Sequence, residues 1–448
     1  MRALTPPMGW NSWDCYGTTV TEAEVMANAA VMAERLLPHG WDTIVVDIAW
    51  YDPTARSHGY NADAPLELDD HGRQLPAPSR FPSAAGGNGF GPLAEAVHAL
   101  GLRFGLHVMR GISRLAVERD LPILGTDFTA RDVADLDHVC AWNPDNYGLD
   151  HDHPGAQAYY DSQVAQFAAW GVDFIKADDM QAPYFEREIA AYARAIERSG
   201  RDITLSLSPG THLSTEHLPH LREHAQMWRI SDDLWDRWED VAAQFARLAR
   251  WAPFQQAGGW ADADMLPLGR IGIRAERGEP RDSRLTPDEQ RTLLSLWVMG
   301  RSPLMLGGDL PSTDEDTLER LTNPHLAAVL AHSEDNRELL REPLDGGELI
   351  VWSARATDHP GRVYAAVFWT GDASHEARVE LASVLGTGVR AAARTDLWPG
   401  QSTAAADGVL AAQIPPHGVA WVALDVDTTT PSTPAAAGTT ATPPKDHR

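Results

Sequence analysis

Short apolar runs alternating with helix-like segments constrain this chain more than any other feature. The runs are DTIVVDIAW (42–50), LRFGLHVM (102–109), VDFIKA (172–177), ITLSLS (203–208), QMWRIS (226–231) and APFQQA (252–257). They read as buried strands. Between them helix starts are well signed. Thr21 with Glu24 forms a capping box ahead of VMANAAVMAERLL, and Thr286-Pro287-Asp288-Glu289 repeats the device ahead of QRTLLSLWVMG. Such alternation predicts parallel strands with helical crossovers, an α/β chain. Over residues 1–337 the commonest closed solution is a (β/α)8 TIM barrel, whose active site lies at the C-terminal strand ends.

The pattern changes near residue 338. ELIVWSA, RVYAAVFW and GVAWVALDV are β-rich, without helical period, and predict an antiparallel β-sandwich over 338–427. Residues 428–448, rich in Thr, Pro and Ala, cannot bury a core and are expected to be disordered. Within the barrel region, the long segment 51–91 is rich in Pro, Gly, Asp and Asn. A loop of that length in a compact domain is usually functional.

A formal net charge of −26 argues against nucleic acid and anionic membranes as partners, because both require clustered Lys and Arg. Two cysteines, Cys15 and Cys140, make no disulfide framework and lack zinc-ligand spacing. The segment MRALTPPMGW has no apolar signal core and no run is long enough to span a bilayer, so a cytoplasmic location is expected. Sixteen tryptophans point first to core packing, although flat indoles also stack on sugar rings.

The chemistry gathers where strands emerge. In GVDFIKADDM, side chains alternate, so Lys176 and Asp178 share one face while Ala177 takes the other. An ammonium keeps a neighbouring carboxylate ionised, and an ionised, positioned carboxylate can act as a nucleophile. In WRISDDLWDRWED, Arg229 is followed at four residues by Asp233. Two strands ending in carboxylates match the nucleophile and acid/base of glycoside hydrolysis. In GGWADADMLPLG, Asp262 and Asp264 are either ligands or loop braces, and bracing is favoured. The run Asp150-His151-Asp152-His153 looks like a metal cluster, but consecutive residues point in different directions, so no metal site is expected there.

These segments, with TPPMGWNSWDCYG, VVDIAW and LWVMGRSPLMLGGDL in the same order, resemble glycoside hydrolase family 27, the α-galactosidase and α-N-acetylgalactosaminidase family, over residues 5–425. The resemblance implies a (β/α)8 barrel with a C-terminal antiparallel β domain. It implies Asp178 as nucleophile, Asp233 as general acid/base, and Lys176 and Arg229 as sugar-binding cations that also keep Asp178 ionised. Trp13, Asp47, Trp50, Asp264 and Met265 are expected to contact the sugar. The implied reaction is a retaining double displacement on a glycoside or oligosaccharide, with no metal or organic cofactor; homo-oligomerisation is left open.

Departures from the family pattern are concentrated around the sugar. Where the family has an adjacent Asp-Asp pair gripping two galactose hydroxyls, this chain has Asp47 and Ile48. Isoleucine accepts no hydrogen bond, and an unpaired hydroxyl in a dry pocket costs about 1–3 kcal/mol. The third strand carries His107, Met109 and Arg110, of which His107 and Arg110 are expected to reach substrate. Met180 replaces a pocket cysteine, and Ser208 stands where α-galactosidases carry Glu and N-acetylgalactosaminidases carry Ser. Three readings follow: an exo-α-galactosidase; a family member for another sugar, such as an α-glucoside or isomaltose unit, α-N-acetylgalactosamine or β-L-arabinopyranose; or a carbohydrate-binding protein without catalysis.

Overall fold

The computed structural model describes residues 2–61, 63–404 and 408–426. The expected disordered tail at 428–448 lies outside the described residues. The chain divides into two compact units, with the boundary between Arg337 and Glu338.

Eight parallel strands organise the first unit. They are β1 (Met8–Asn11), β2 (Thr43–Val46), β3 (Arg103–Met109), β4 (Phe174–Asp178), β5 (Thr204–Leu207), β6 (Met227–Arg229), β7 (Trp260–Asp262) and β8 (Leu304–Leu306). Each pairs with its successor from β1 to β7, and β8 pairs with β1. A parallel bridge between Leu266, just beyond β7, and Leu306 joins the two ends of the sheet. It is made by Leu266 N–H to Met305 O at 2.8 Å and Gly307 N–H to Leu266 O at 3.0 Å. The result is the TIM barrel with helices between strands. Both anticipated capping boxes form, at Thr21–Glu24 and Thr286–Glu289, the latter with Pro287 in the first turn.

The run 252–257 is not a strand. Pro253 lacks an N–H for a ladder, and Ala252–Phe254 form a 3₁₀ turn that extends the helix Trp238–Trp251; the strand is Trp260–Asp262. Strands β1 and β8, four and three residues long, are too short to show a two-residue period in the sequence.

Alternation along the strands places the chemistry. A plug of Val45, Phe174, Met227 and Met305, with Met109 and Met265, fills the barrel. Thioether side chains are flexible enough to fill an irregular space of this kind. Two residues beyond the plug on the same strands come Asp47, Lys176 and Arg229, and two beyond Lys176 comes Asp178. Residues of the other parity, such as Leu106, Val108, Ile175 and Ala177, are fully buried beneath the helices.

A six-stranded antiparallel sheet, whose first strand begins five residues before the boundary, is ordered Ser333–Leu344, Gly347–Ala356, Arg362–Trp369, Val419–Val426, Ala391–Asp396 and Gln401–Ala404 in the second unit. A two-stranded sheet of His375–Glu380 and Val409–Ile414 completes it. Alternate residues Leu349 and Val351, Ala365 and Val367, and Val422 and Leu424 form one buried face, packed with Val379 and Leu410. That packing is the antiparallel β-sandwich. Among the described residues no helix is long and apolar enough to cross a membrane.

Candidate active site

A cavity of about 390 Å³ opens at the C-terminal ends of the barrel strands, lined by Asp47, Ile48, His107, Lys176, Asp178 and Asp233, with Trp13 and Tyr60 among its aromatic residues. It therefore joins residues distributed over the sequence from 13 to 277.

Asp47 is held by three donors. Lys176 Nζ and Asn11 Nδ2 each lie 2.8 Å from Oδ2, and the Ile48 N–H donates to Oδ1 at 2.8 Å. Burial opposes its ionisation, yet the charges of Lys176 and His107 keep this carboxyl below its ordinary value. Asn11 also accepts from the Trp13 N–H at 2.9 Å, so one side chain seats both the tryptophan and the carboxylate.

Asp178 receives His107 Nε2–H at 3.2 Å on one oxygen and the Asp179 N–H at 2.8 Å on the other. Burial raises its pKa, but the His107 hydrogen bond, then the charges of His107 and Lys176, more than reverse this. The carboxyl stays well below the usual carboxylate range. Lys176 thus helps to keep Asp178 ionised as expected, and His107, which makes the direct bond, acts ahead of it; Arg229 is not among the leading groups that act on this carboxyl. The backbone at His107 is fixed by Trp50, whose indole N–H donates to the His107 carbonyl at 2.7 Å.

A pH dependence follows from this geometry. A carboxylate with a depressed pKa is active above that pKa and lost as pH falls through it. Replacing His107 with Ala raises the Asp178 pKa, so the acid limb of the kcat/KM profile is expected to move to higher pH. An acid limb identical to wild type would show that His107 does not hold the carboxylate.

Asp233 is 44% exposed and lies 3.4 Å from Arg229, whose other guanidinium nitrogen is 2.7 Å from buried Asp264. Burial pushes the Asp264 carboxyl up while Arg229 pulls it down, and the former wins. Asp264 also accepts the Leu234 N–H at 2.6 Å, and its own N–H donates to Asp262 at 2.9 Å. Asp264 thus braces the loop that carries Asp233, and Asp262 in turn holds Asp264. Ala49, Asp179 and Asp264 have φ of 63°, 59° and 97°. Each follows a strand end at the site, where backbone strain is commonly stored.

The adjacent acids have different partners. Asp178 lines the cavity, whereas Asp179 turns away to Arg110 at 2.8 Å. Asp233 faces Arg229, while the Asp232 carboxylate accepts the Thr211 N–H at 3.2 Å.

Two expected sugar contacts are placed elsewhere. Trp50 is fully buried, edge-on to Tyr51, Phe90, Phe167 and Trp170, because its φ-strained neighbour Ala49 turns the chain into the helix layer. Arg110 is buried against Asp179 and over the Phe185 ring at 3.9 Å, and it lines a different surface cavity. Ser208, Arg229, Asp264 and Met265 surround a hollow of about 20 Å³ that shares Lys176 with the main cavity. Among the described residues no cluster of three or more metal-ligating side chains occurs. His151 instead lies 3.0 Å from Glu188, and His153 caps a helix at Gly155.

Sequence reasoning missed the loop-borne residues. Tyr60 stacks on Trp13 at 5.9 Å, and Trp142 lies 5.7 Å from Tyr60. Burial, then the charge of Asp178, hold the Tyr60 phenol well above its ordinary value, so its hydroxyl stays a donor. The length of the 51–91 loop was the available signal, but nothing in its composition singled out residue 60.

Comparison with known proteins agrees with this architecture. A family profile described as alpha galactosidase A matches residues 148–332. An α-galactosidase of Cyamopsis tetragonoloba is 25% identical, over 92% of this chain and 84% of that one. An α-N-acetylgalactosaminidase of Rattus norvegicus is 25% identical, over 80% and 78%. The crystal structure of a family 27 β-L-arabinopyranosidase from Geobacillus stearothermophilus superposes with a TM-score of 0.90 at 44% identity, covering 98% of both chains. With similarity of that depth along its whole length, this chain belongs to glycoside hydrolase family 27 and is a glycoside hydrolase.

Proposed function

We propose that the enzyme is an exo-acting, retaining glycosidase whose preferred terminal sugar is β-L-arabinopyranose. Ile48 carries the reading. It is 1% exposed and forms the cavity wall beside Asp47, at the position from which a second carboxylate would grip a hydroxymethyl group. β-L-Arabinopyranose has the ring of α-D-galactopyranose with a hydrogen in place of that group. Its missing hydroxyl leaves nothing unpaired against isoleucine, and the apolar wall fills the vacated space. The likeness to the Geobacillus enzyme supports the same choice.

In the proposed mechanism Asp178 attacks the anomeric carbon while Asp233 protonates the departing oxygen. Water, deprotonated by Asp233, then hydrolyses the glycosyl-enzyme. Lys176 and Asp47 orient ring hydroxyls, and Arg229 holds Asp233 over the bond. An N-acetylated substrate is disfavoured. The hollow beside Ser208, about 20 Å³, holds roughly one water.

The test compares p-nitrophenyl β-L-arabinopyranoside with p-nitrophenyl α-D-galactopyranoside. Wild type is expected to favour the former in kcat/KM. Ile48→Asp is expected to shift the ratio toward galactoside by about tenfold or more, since one buried hydrogen bond to substrate is worth about 1–3 kcal/mol. A wild-type preference for galactoside, unchanged by Ile48→Asp, would refute the assignment.

A further inference from the structure

The cavity continues outward as a line of aromatic rings. Trp13 lies near its floor, Tyr60 stacks on it with planes 20° apart, and Trp142 follows at the rim. Trp142 is 40% exposed, yet it is not on a loose loop. Its neighbours Cys140 and Asn143 are both buried, and Asn143 accepts the Asp145 N–H at 2.9 Å. Asp145 in turn accepts the Tyr51 hydroxyl at 3.1 Å. Tyr60 is fixed similarly through Asn61, which donates to Asp52 at 2.9 Å and to the Thr54 carbonyl at 2.7 Å. Two separate loops are therefore braced so as to hold these rings at the mouth.

An exo-acting enzyme seats its terminal sugar at the closed end, beside Asp47, Lys176 and Asp178. The bond is broken between Asp178 and Asp233, so whatever lies further out meets the leaving group. That outer zone has a mixed character. The Tyr60 and Trp142 rings are apolar and flat, while His212, Asp232 and Glu276 line the same mouth with polar groups. A pyranose ring has this pattern itself, with C–H faces that stack on an indole and hydroxyls around its edge. A wholly apolar aglycone would strip water from the acids without replacing their hydrogen bonds.

We propose that Trp142 and Tyr60 form a leaving-group subsite that selects a second pyranose ring, so that the natural substrate is a glycan terminus rather than a glycoside of a flat apolar alcohol. This inference rests on the functional reading above. It is tested with wild type, Trp142→Ala and Trp142→Phe on three substrates: β-L-arabinopyranosyl fluoride, its p-nitrophenyl glycoside, and a disaccharide in which β-L-arabinopyranose is joined to a hexopyranose. Fluoride has no ring to stack. Trp142→Ala is expected to raise KM for the disaccharide about tenfold while kcat/KM for the fluoride stays within about twofold, and Trp142→Phe to recover most of the loss. Equal losses on fluoride and disaccharide, or no loss on the disaccharide, would overturn the subsite. A lower wild-type KM for the nitrophenyl glycoside than for the disaccharide, abolished by Trp142→Ala, would reassign it to flat aromatic aglycones. A wild type inactive on all three would overturn the functional reading and the subsite with it, whereas an active wild type with an indifferent Trp142→Ala removes the subsite alone.

Discussion

Replacing Asp178 with Ala is expected to lower kcat/KM on the order of 10⁴- to 10⁶-fold, the range found when an essential nucleophile is removed. The argument rests on how much structure is committed to this one carboxylate. It is buried beside Lys176, His107 and the plug, and burial raises its pKa, which the His107 hydrogen bond and the nearby positive charge more than reverse. The Asp179 N–H holds its other oxygen. An anion so placed is poorly solvated and oriented, which favours attack on carbon. Azide should restore turnover in Asp178→Ala by entering the vacated space and giving a glycosyl azide of inverted anomeric configuration. A 2-fluoro glycosyl fluoride should label Asp178. Labelling of Asp179 would contradict the assignment, and the structure makes that outcome costly, because Asp179 is buried against Arg110 and burial pushes its carboxyl up to about 6.

Replacement of Asp233 with Ala should behave differently, and the difference identifies its role. General acid catalysis contributes typically about 10²–10⁴-fold, and the need for it scales with the basicity of the leaving group. A disaccharide or methyl glycoside should lose about that factor. A glycosyl fluoride or dinitrophenyl glycoside should lose far less in its first step, and azide should again accelerate the second. The geometry suits a group that must meet both a leaving oxygen and a water, since Asp233 is 44% exposed while its Arg229 anchor is buried between it and Asp264. A loss independent of leaving group would mean that Asp233 positions substrate and does not transfer a proton.

Much of the barrel was legible in the sequence. β2 through β6 fell within apolar runs long enough to recognise, and the capping residues Thr21 and Thr286 marked helix starts that form as expected. The run 252–257 misled because Trp, Ala and Phe around Pro253 have the composition of a strand and the backbone of a turn. Short β1 and β8 carried little periodic signal, and were recognisable only as parts of familiar motifs.

The site divides along the same physical line. Alternation along a strand is a local property of the backbone, so once Phe174 was inward, Lys176 and Asp178 had to be inward too. The same rule delivered Arg229 from Met227 and Asp47 from Val45. Residues beyond the strand ends obey no such rule. Trp50 and Arg110 were expected at the sugar, yet Trp50 turned into the helix layer and Arg110 turned to Asp179. Tyr60 and Trp142 arrived at the mouth from two loops far apart in sequence. By itself the sequence determined the barrel, the inward parity of its strands, and the carboxylates and cations that parity presents. Only tertiary structure decided that His107 holds Asp178, that Trp50 and Arg110 leave the cavity, and that two aromatic loops line its mouth. Each of those depends on contacts between segments distant in the chain, which local backbone geometry does not encode.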